Sequence, residues 1–447
     1  MSIAAEKALL GSNGEQTTSG EVESVFSKIT IRLIPLLFFC YLLNFVDRAN
    51  IGFAQLQMKS SLGFSDAVYG LGATMFFVGY LIFEVPSNLL LKRIGARMTI
   101  LRIMVLWGLA SAATMFVTTP TQFYIVRLLL GVFEAGFFPG VVLYLTFWFP
   151  PQRRAKVMAL FMTAQVAAAF VTSPVSGAIL KHMHGMYGWE GWQWMFLIEG
   201  LPTVLLGVLA YLMLPNGPEQ AKWLTQRERQ VFQWEMARSG GRQVEARHAF
   251  TGVLRDPKVY LLAFAAFVSG CAGYFLAFWT PSIIKDLGVA DLQMIGLYAV
   301  IPNFFGLIAM VLYGRHADQS NEQRLHYGVA FLVAALGFVS LVFATKAGLT
   351  WTLAAIAFGG SALVSSTPIF WAMVTRYLPK EQAPGGIAYI NTLASAAGIS
   401  PAVVGAIKTQ TGSLDLAIYL ISALFVVAAL AVMLGMRSAL ANSRVAH

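Results

Sequence analysis

Apolar residues in this chain come in long unbroken runs, not at alternating positions. IYLISALFVVAALAVML (residues 418–434) is apolar on every side. A helix crossing a hydrocarbon core of ~30 Å needs about 20 such residues. Twelve runs of suitable length are present, at about 29–53, 67–91, 99–117, 121–147, 155–180, 193–214, 257–283, 292–313, 326–345, 349–378, 385–407 and 414–436. Strands of a membrane barrel would instead alternate apolar and polar residues over about ten positions. The pattern predicts an all-α integral membrane protein with twelve transmembrane helices.

The polar stretches divide the runs. The longest, 215–256, separates six spans from six. It predicts a polar N-terminal tail (1–28), a six-helix half (29–214), a central loop (215–256), a second six-helix half (257–436) and a short tail (437–447). In the loop, Thr225 and Glu228 have the spacing of a capping box. Trp223, Val231 and Trp234 mark one face of a short amphipathic helix, expected to lie along the bilayer surface. The tail carries Glu6, Glu15, Glu21 and Glu23 and no basic segment before a short apolar core. It does not read as a signal peptide, so the first span is expected to stay.

Composition agrees with a membrane. Hydrophobic residues make up 57% of 447, charged residues 12%, and mean hydropathy is +0.67, against about half and a quarter in soluble domains. Lys59, Lys181, Lys285, Lys346 and Lys408 fall in the loops on one side, and Arg48 and Arg127 lie within spans. The remaining 24 of the 31 basic residues lie on the other side. Basic residues stay cytoplasmic, so both termini are expected in the cytoplasm of a bacterial inner-membrane protein. The net charge of +10 is then orientation bias, not a nucleic-acid footprint. Cys40 and Cys271 sit in spans of different halves and read as small apolar filler.

The halves carry traces of duplication. SPVSG from Ser173 answers SPAVVG from Ser400, and the basic turn LLLKRIGAR answers LYGRHADQSNEQR, at offsets of 227 and 222 residues. Paired repeats around a midplane site are a common transporter design.

Ionisable residues well inside the spans are Asp47, Arg48, Glu84, Arg127, Glu134 and Glu199, all in the first half. The second half offers Asn303, Ser365, Ser366, Trp371, Asn391 and Thr392 instead. A charge at mid-bilayer costs at least ~2.5–3.5 kcal/mol on insertion scales, so such groups normally face a cavity and have partners. Arg127 and Glu134 are two turns apart on one helix face, roughly 10 Å along the axis. Asp47, Arg48, Arg127 and Glu134 form either an ion-pair lattice, a proton-coupled anion site, or both. Glu84, in FEVPSN, and Glu199, before Gly200 and Pro202, read as structural. His182 and His184 lack further ligands and give no metal site. No phosphate-binding loop, zincin or nucleophile-elbow motif occurs, which argues against an ATP-driven pump or an enzyme. No cofactor is expected.

FVDRANIGFA, FFVGYLIFEVPSNLLLKRIGAR, RLLLGVFEAGFFPG, GWQWMFLIEGLP and GGIAYINTLASAAG together resemble the anion:cation symporter family of the major facilitator superfamily. The resemblance implies two pseudo-symmetric six-helix halves and uptake of a small organic carboxylate by proton symport. It implies protonation at Asp47 and Glu134. It places Arg48, Tyr80, Gln165, Trp371 and Asn391 on the substrate cavity, with Arg127 pairing with the acids. Two positions depart from the family. Phe45 replaces a tyrosine found in some sugar-acid members, and the first basic turn reads Lys92-Arg93-Ile94-Gly95 where the superfamily pattern has an Asp-Arg pair. Tartrate-like hydroxy acids, sugar acids and aromatic acids are all compatible substrates. A sodium-coupled symporter of the same fold and a membrane sensor of organic anions are the alternatives. The protein is expected to act as a monomer.

Overall fold

Caps and chain breakers set the helix ends. Thr18 caps the first helix in a reciprocal box with Glu21, Ser65 caps the second span, and Thr119 pairs with Gln122 just before Pro120. These side chains satisfy amide groups that the first helical turn leaves without partners. The computed structural model describes residues 18–239, 250–320, 322–379 and 382–437. Glu6, Glu15 and all but the first residue of the predicted C-terminal tail lie outside them.

Among the described residues every regular element is helical, and twelve spans are long and apolar enough to cross a membrane. The first half contains α1 (Ser19–Ala49), α2 (Ile51–Leu62), α3 (Asp66–Ile94), α4 (Ala96–Ala113), α5 (Pro120–Glu134), α6 (Phe137–Trp148), α7 (Pro151–His182) and α8 (Gly191–Met213). Two helices, α9 (Gln226–Ser239) and α10 (Phe250–Arg255), lie between the halves in sequence. The second half contains α11 (Pro257–Asp286), α12 (Leu292–Ser320), α13 (Gln323–Ala347), α14 (Leu349–Tyr377), α15 (Ala383–Ala394), α16 (Ser400–Thr411) and α17 (Asp415–Gly435).

Four spans differ from the sequence expectation, the eighth by running on to Ser320 where an end at about 313 was expected. The first starts at Ser19, ten residues early, and runs through Asn50 to Leu62. The fourth is broken: Ala135 leaves the helical region and Gly136 takes φ +87°, a left-handed conformation that favours glycine. The eleventh breaks into α15, a 3₁₀ turn at Ser395–Ile399, and α16.

The two halves meet at the end of the bundle away from the termini. There α3 crosses α16, and α7 crosses α12. Glycines permit both crossings. A Cβ on Gly70 would lie 3.2 Å from Gly405 Cα, and one on Gly177 would lie 3.1 Å from Gly296 Cα. Gly177 and Gly405 close the two repeated Ser-Pro motifs, so the duplication seen in sequence is the pseudo-symmetry of this contact. Between the crossings, Gln55 donates to Phe278 O at 2.7 Å, and Lys285 donates to Leu56 O.

The linker helix is clamped to the first half. Lys28 meets Glu228 at 2.8 Å, and Arg227 meets Glu21 at 3.3 Å. Trp223 stacks on Trp148 at 5.7 Å, and Val231 and Phe232 are buried. The capping box of Thr225 and Glu228 is present. The apolar face therefore covers protein, where the sequence suggested a bilayer surface.

Candidate functional site

A cavity of about 530 Å³ lies between the halves, and Arg48 is its cation. Gln165, Thr172 and Ser173 of α7 line it from the first half. Tyr274 of α11 and Asn303 of α12 line it from the second. Phe45, Phe53 and Phe77 supply apolar wall. Asn303 reaches across the cavity, donating to Ala169 O at 3.2 Å.

Arg48 is not free at this wall. Its Nε and Nη2 both approach Glu134 Oε1, at 2.6 and 2.5 Å. Its guanidinium also lies 5.0 Å from the Tyr80 ring centroid and 5.4 Å from that of Phe76, where the ring faces attract a cation. The Arg48 side chain is 25% exposed and that of Glu134 0%. The ion pair thus has one member on the cavity and one sealed behind it. Glu134 is the last residue of α5, beside the break at Ala135 and Gly136. Irregular backbone at membrane depth is tolerated where it is buried in protein or lines a cavity. Glu134 Oε2 has no partner.

Asp47 adjoins Arg48 in sequence but not in direction. Successive helical residues point about 100° apart. Asp47 turns into the packing of the first half, where Trp107 Nε1 donates to it at 2.6 Å, Asn50 Nδ2 at 3.2 Å, and Ser111 Oγ more closely. Asp47 is 2% exposed and is not on the cavity wall. Arg127 is equally buried. Its guanidinium lies 5.1 Å from the Phe76 centroid, near Asp47, and its Nε has no partner. Two arginines on the broken fourth span's neighbourhood thus serve two acids: Arg48 with Glu134 by direct contact, Arg127 with Asp47 through space.

Of the residues expected on the cavity, Arg48 and Gln165 line it. Tyr80 stands behind Arg48, and Arg127 behind Asp47. Trp371 packs edge-on to Phe370 at 5.2 Å, and Asn391 is exposed on α15; neither lines the cavity in this state. Ser365 and Ser366 donate to carbonyls of their own helix. Trp107, Ser111 and Tyr274 were not anticipated. Trp107 and Ser111 are four apart on α4 and so share a face, but nothing in the sequence says that this face meets Asp47. His182 approaches Gln293 and His184 approaches Glu190, so they do not converge. Both cysteines are free and buried.

Comparison with known proteins fits this arrangement. Residues 37–403 match the family model of the Major Facilitator Superfamily. A putative tartrate transporter of Agrobacterium vitis is 44% identical over 94% of this chain and 96% of its own length. The putative metabolite transport protein NicT of Pseudomonas putida is 42% identical over 89% and 91%. The inner membrane transport protein RhmT of Escherichia coli K12 is 35% identical over 87% and 90%. Among solved structures, a bacterial homologue of the lysosomal transporter Spinster, inward-facing and unoccupied, superimposes with a TM-score of 0.71 at 17% identity, covering 96% of this chain and 95% of that one. A D-xylose–proton symporter gives 0.69 at 18%, covering 90% and 97%. With twelve spans in two pseudo-symmetric halves around a shared cavity, and a family model covering most of its length, the chain belongs to the Major Facilitator Superfamily of multi-pass membrane transporters.

Proposed function

We propose that this protein, working as a monomer, takes up a small organic carboxylate together with protons by alternating access. The observation that carries the reading is the Arg48–Glu134 pair, with its cation on the cavity wall and its carboxylate sealed behind. An anion entering the cavity competes with Glu134 for the same guanidinium. A proton on Glu134 ends that competition, so substrate and proton favour one another at this site. Asp47, held by Trp107, Ser111 and Asn50, is the second proton acceptor, with Arg127 as its counter-charge. The names of the tartrate transporters among the relatives support an organic acid as cargo. A single cation with neutral donors at Gln165 and Asn303 suits one carboxylate on a compact hydroxylated or aromatic body. With the termini cytoplasmic, as the basic loops indicate, the halves are closed on the outer side in this state.

Electrostatics favours proton coupling. An inside-negative potential opposes anion entry by ~2.3 kcal/mol per charge per 100 mV. One proton cancels the charge of a monoanion, and two cancel that of a dianion. In sodium-free proteoliposomes an inward proton gradient is expected to drive accumulation, tested across tartrate, a sugar acid and an aromatic acid. A protonophore abolishes accumulation and leaves exchange of preloaded substrate intact. Glu134→Gln, a mimic of the protonated acid, loses accumulation and keeps exchange. Strict sodium dependence without response to a pH gradient overturns the mechanism.

A further inference from the structure

Where α3 meets α16, five charged side chains gather at the far-side seam. In the first half, Lys59 of α2 donates to both oxygens of Asp66 of α3, at 2.9 and 2.8 Å. In the second half, Lys408 of α16 donates to Asp286 of α11 at 3.0 Å, and its ammonium lies 5.5 Å from the Trp279 ring centroid. Lys408 also reaches across the seam, to 3.9 Å from Asp66. Lys285 of α11 crosses it too, donating to the carbonyl of Leu56 on α2. Among the described residues no acid forms an ion pair with Lys285. Three ammonium groups therefore meet two carboxylates. At the other crossing the pair of Lys181 and Asp291 is balanced.

Alternating access requires this seam to open, and the halves then divide the charges unequally. The first half keeps a balanced pair, Lys59 with Asp66. The second keeps two lysines against one aspartate. Lys408 gives up Asp66, and Lys285 exchanges the Leu56 carbonyl for water. The uncompensated charge falls on the route to the cavity. Phe278, Thr280 and Pro281 of α11 line that cavity, and Lys285 lies one turn beyond Pro281, about 6 Å nearer the far side. Trp279, against Lys408, sits among the same residues. A solute entering from the far side therefore passes both ammonium groups before it reaches Arg48. Positive charge at a cleft with low-dielectric walls concentrates anions there. Lysine, a point charge on a flexible stem, can receive a carboxylate without holding it in one geometry.

We propose that Lys285 and Lys408 form an outer receiving site for carboxylate anions, sequestered across the seam while the far side is closed and uncovered as it opens. This rests on the reading of alternating access for an organic anion, and it adds a second anion site to that of Arg48.

Thiol-labelling rates on the full chain in right-side-out vesicles test it. The reporter is Thr280→Cys, with Cys40→Ala and Cys271→Ala removing the native thiols. Two methanethiosulfonates of similar size are applied from outside, the anionic sulfonatoethyl and the cationic trimethylammonioethyl reagent. Both need the same opening, so the ratio of their rates reports the potential at the mouth and not how often the seam opens. Lys285→Gln removes a unit charge about 7.5 Å along the helix from the reporter, and is expected to lower the anion-to-cation ratio at least about three-fold at low salt. Lys408→Gln lowers it too, Asp286→Asn raises it, and Lys285→Arg leaves it near the starting value. High salt compresses all these differences. If Lys285→Gln changes both rates together and leaves the ratio in place, the lysine only closes the seam and the proposal is overturned. A reporter that outside reagents never reach, while exchange of preloaded substrate proceeds in the same vesicles, overturns it as well, because the entry route then lies elsewhere. No proton gradient enters these measurements, so they stand apart from failure of proton-driven uptake.

Discussion

At the residue scale, the neighbours Asp47 and Arg48 have separate tasks because a helix turns one away from the other. Arg48 gives two nitrogens to one oxygen of Glu134 and can offer the same planar fork to a substrate carboxylate. Lysine keeps the charge but presents a point donor. Losing one charge-assisted hydrogen bond costs about 1.5–3 kcal/mol, so Arg48→Lys is expected to weaken anion binding about ten- to hundred-fold with insertion intact. Equilibrium binding to purified protein checks this, and unchanged affinity would remove Arg48 from the binding site. Arg48 was legible as a cavity residue because charge is rare in spans, and Gln165 only through the family resemblance. Tyr274 was not, since one tyrosine in an aromatic-rich helix carries no mark of the wall it faces.

At the element scale, the break in the fourth span and the two glycine crossings define the working parts. The break brings Glu134 to a helix end beside the cavity. The crossings let α3 meet α16 and α7 meet α12 closely enough to shut the far side. A Cβ at Gly70 would run into Pro401 O and Gly405. Overpacking of this kind costs about 1–3 kcal/mol, which changes the ratio of two conformations by roughly five-fold to over a hundred-fold. Gly70→Val is therefore expected to insert normally, populate the state closed on the far side much less, and lose most uptake. Spin-label distances between the α2–α3 and α16–α17 turns report the population, and an unchanged distance distribution would show that this crossing is not a closure contact.

At the scale of the whole molecule, charges on the far side bridge the halves in this state. Lys181 meets Asp291 at 2.5 Å, and Lys408 lies 3.9 Å from Asp66, while its nearer partner, Asp286 at 3.0 Å, belongs to its own half. Ala67 N donates to Thr409 Oγ1 at 2.8 Å. Replacing both Lys181 and Lys408 by Gln is expected to lengthen the same inter-half distances and raise the share of molecules open on the far side. The hydrogen bond from Lys181 holds the Asp291 carboxyl below its usual range. A carboxyl depressed in the closed state stabilises closure above its open-state value and loses that effect as pH falls through the depressed one. This pair therefore stays charged across pH ~5–8. Changes of inter-half distance with pH in that window should persist in Lys181→Gln, and their disappearance would place the pH sensor at this pair.

The sequence by itself determined the twelve spans, the division into six and six, the duplicated unit and the set of intramembrane charges. Those features depend on run length, composition and cost of burial, which are properties of the chain read locally. Tertiary structure alone decided which charge meets which. Asp47 goes to Trp107 and Ser111, Arg48 to Glu134, and Glu199 to Ser176. It also decided that Trp371 and Asn391 stand off the cavity here, and that the linker helix covers the first half instead of lipid. Partner choice depends on how each helix is rotated and where a glycine breaks it, and packing of many side chains fixes both.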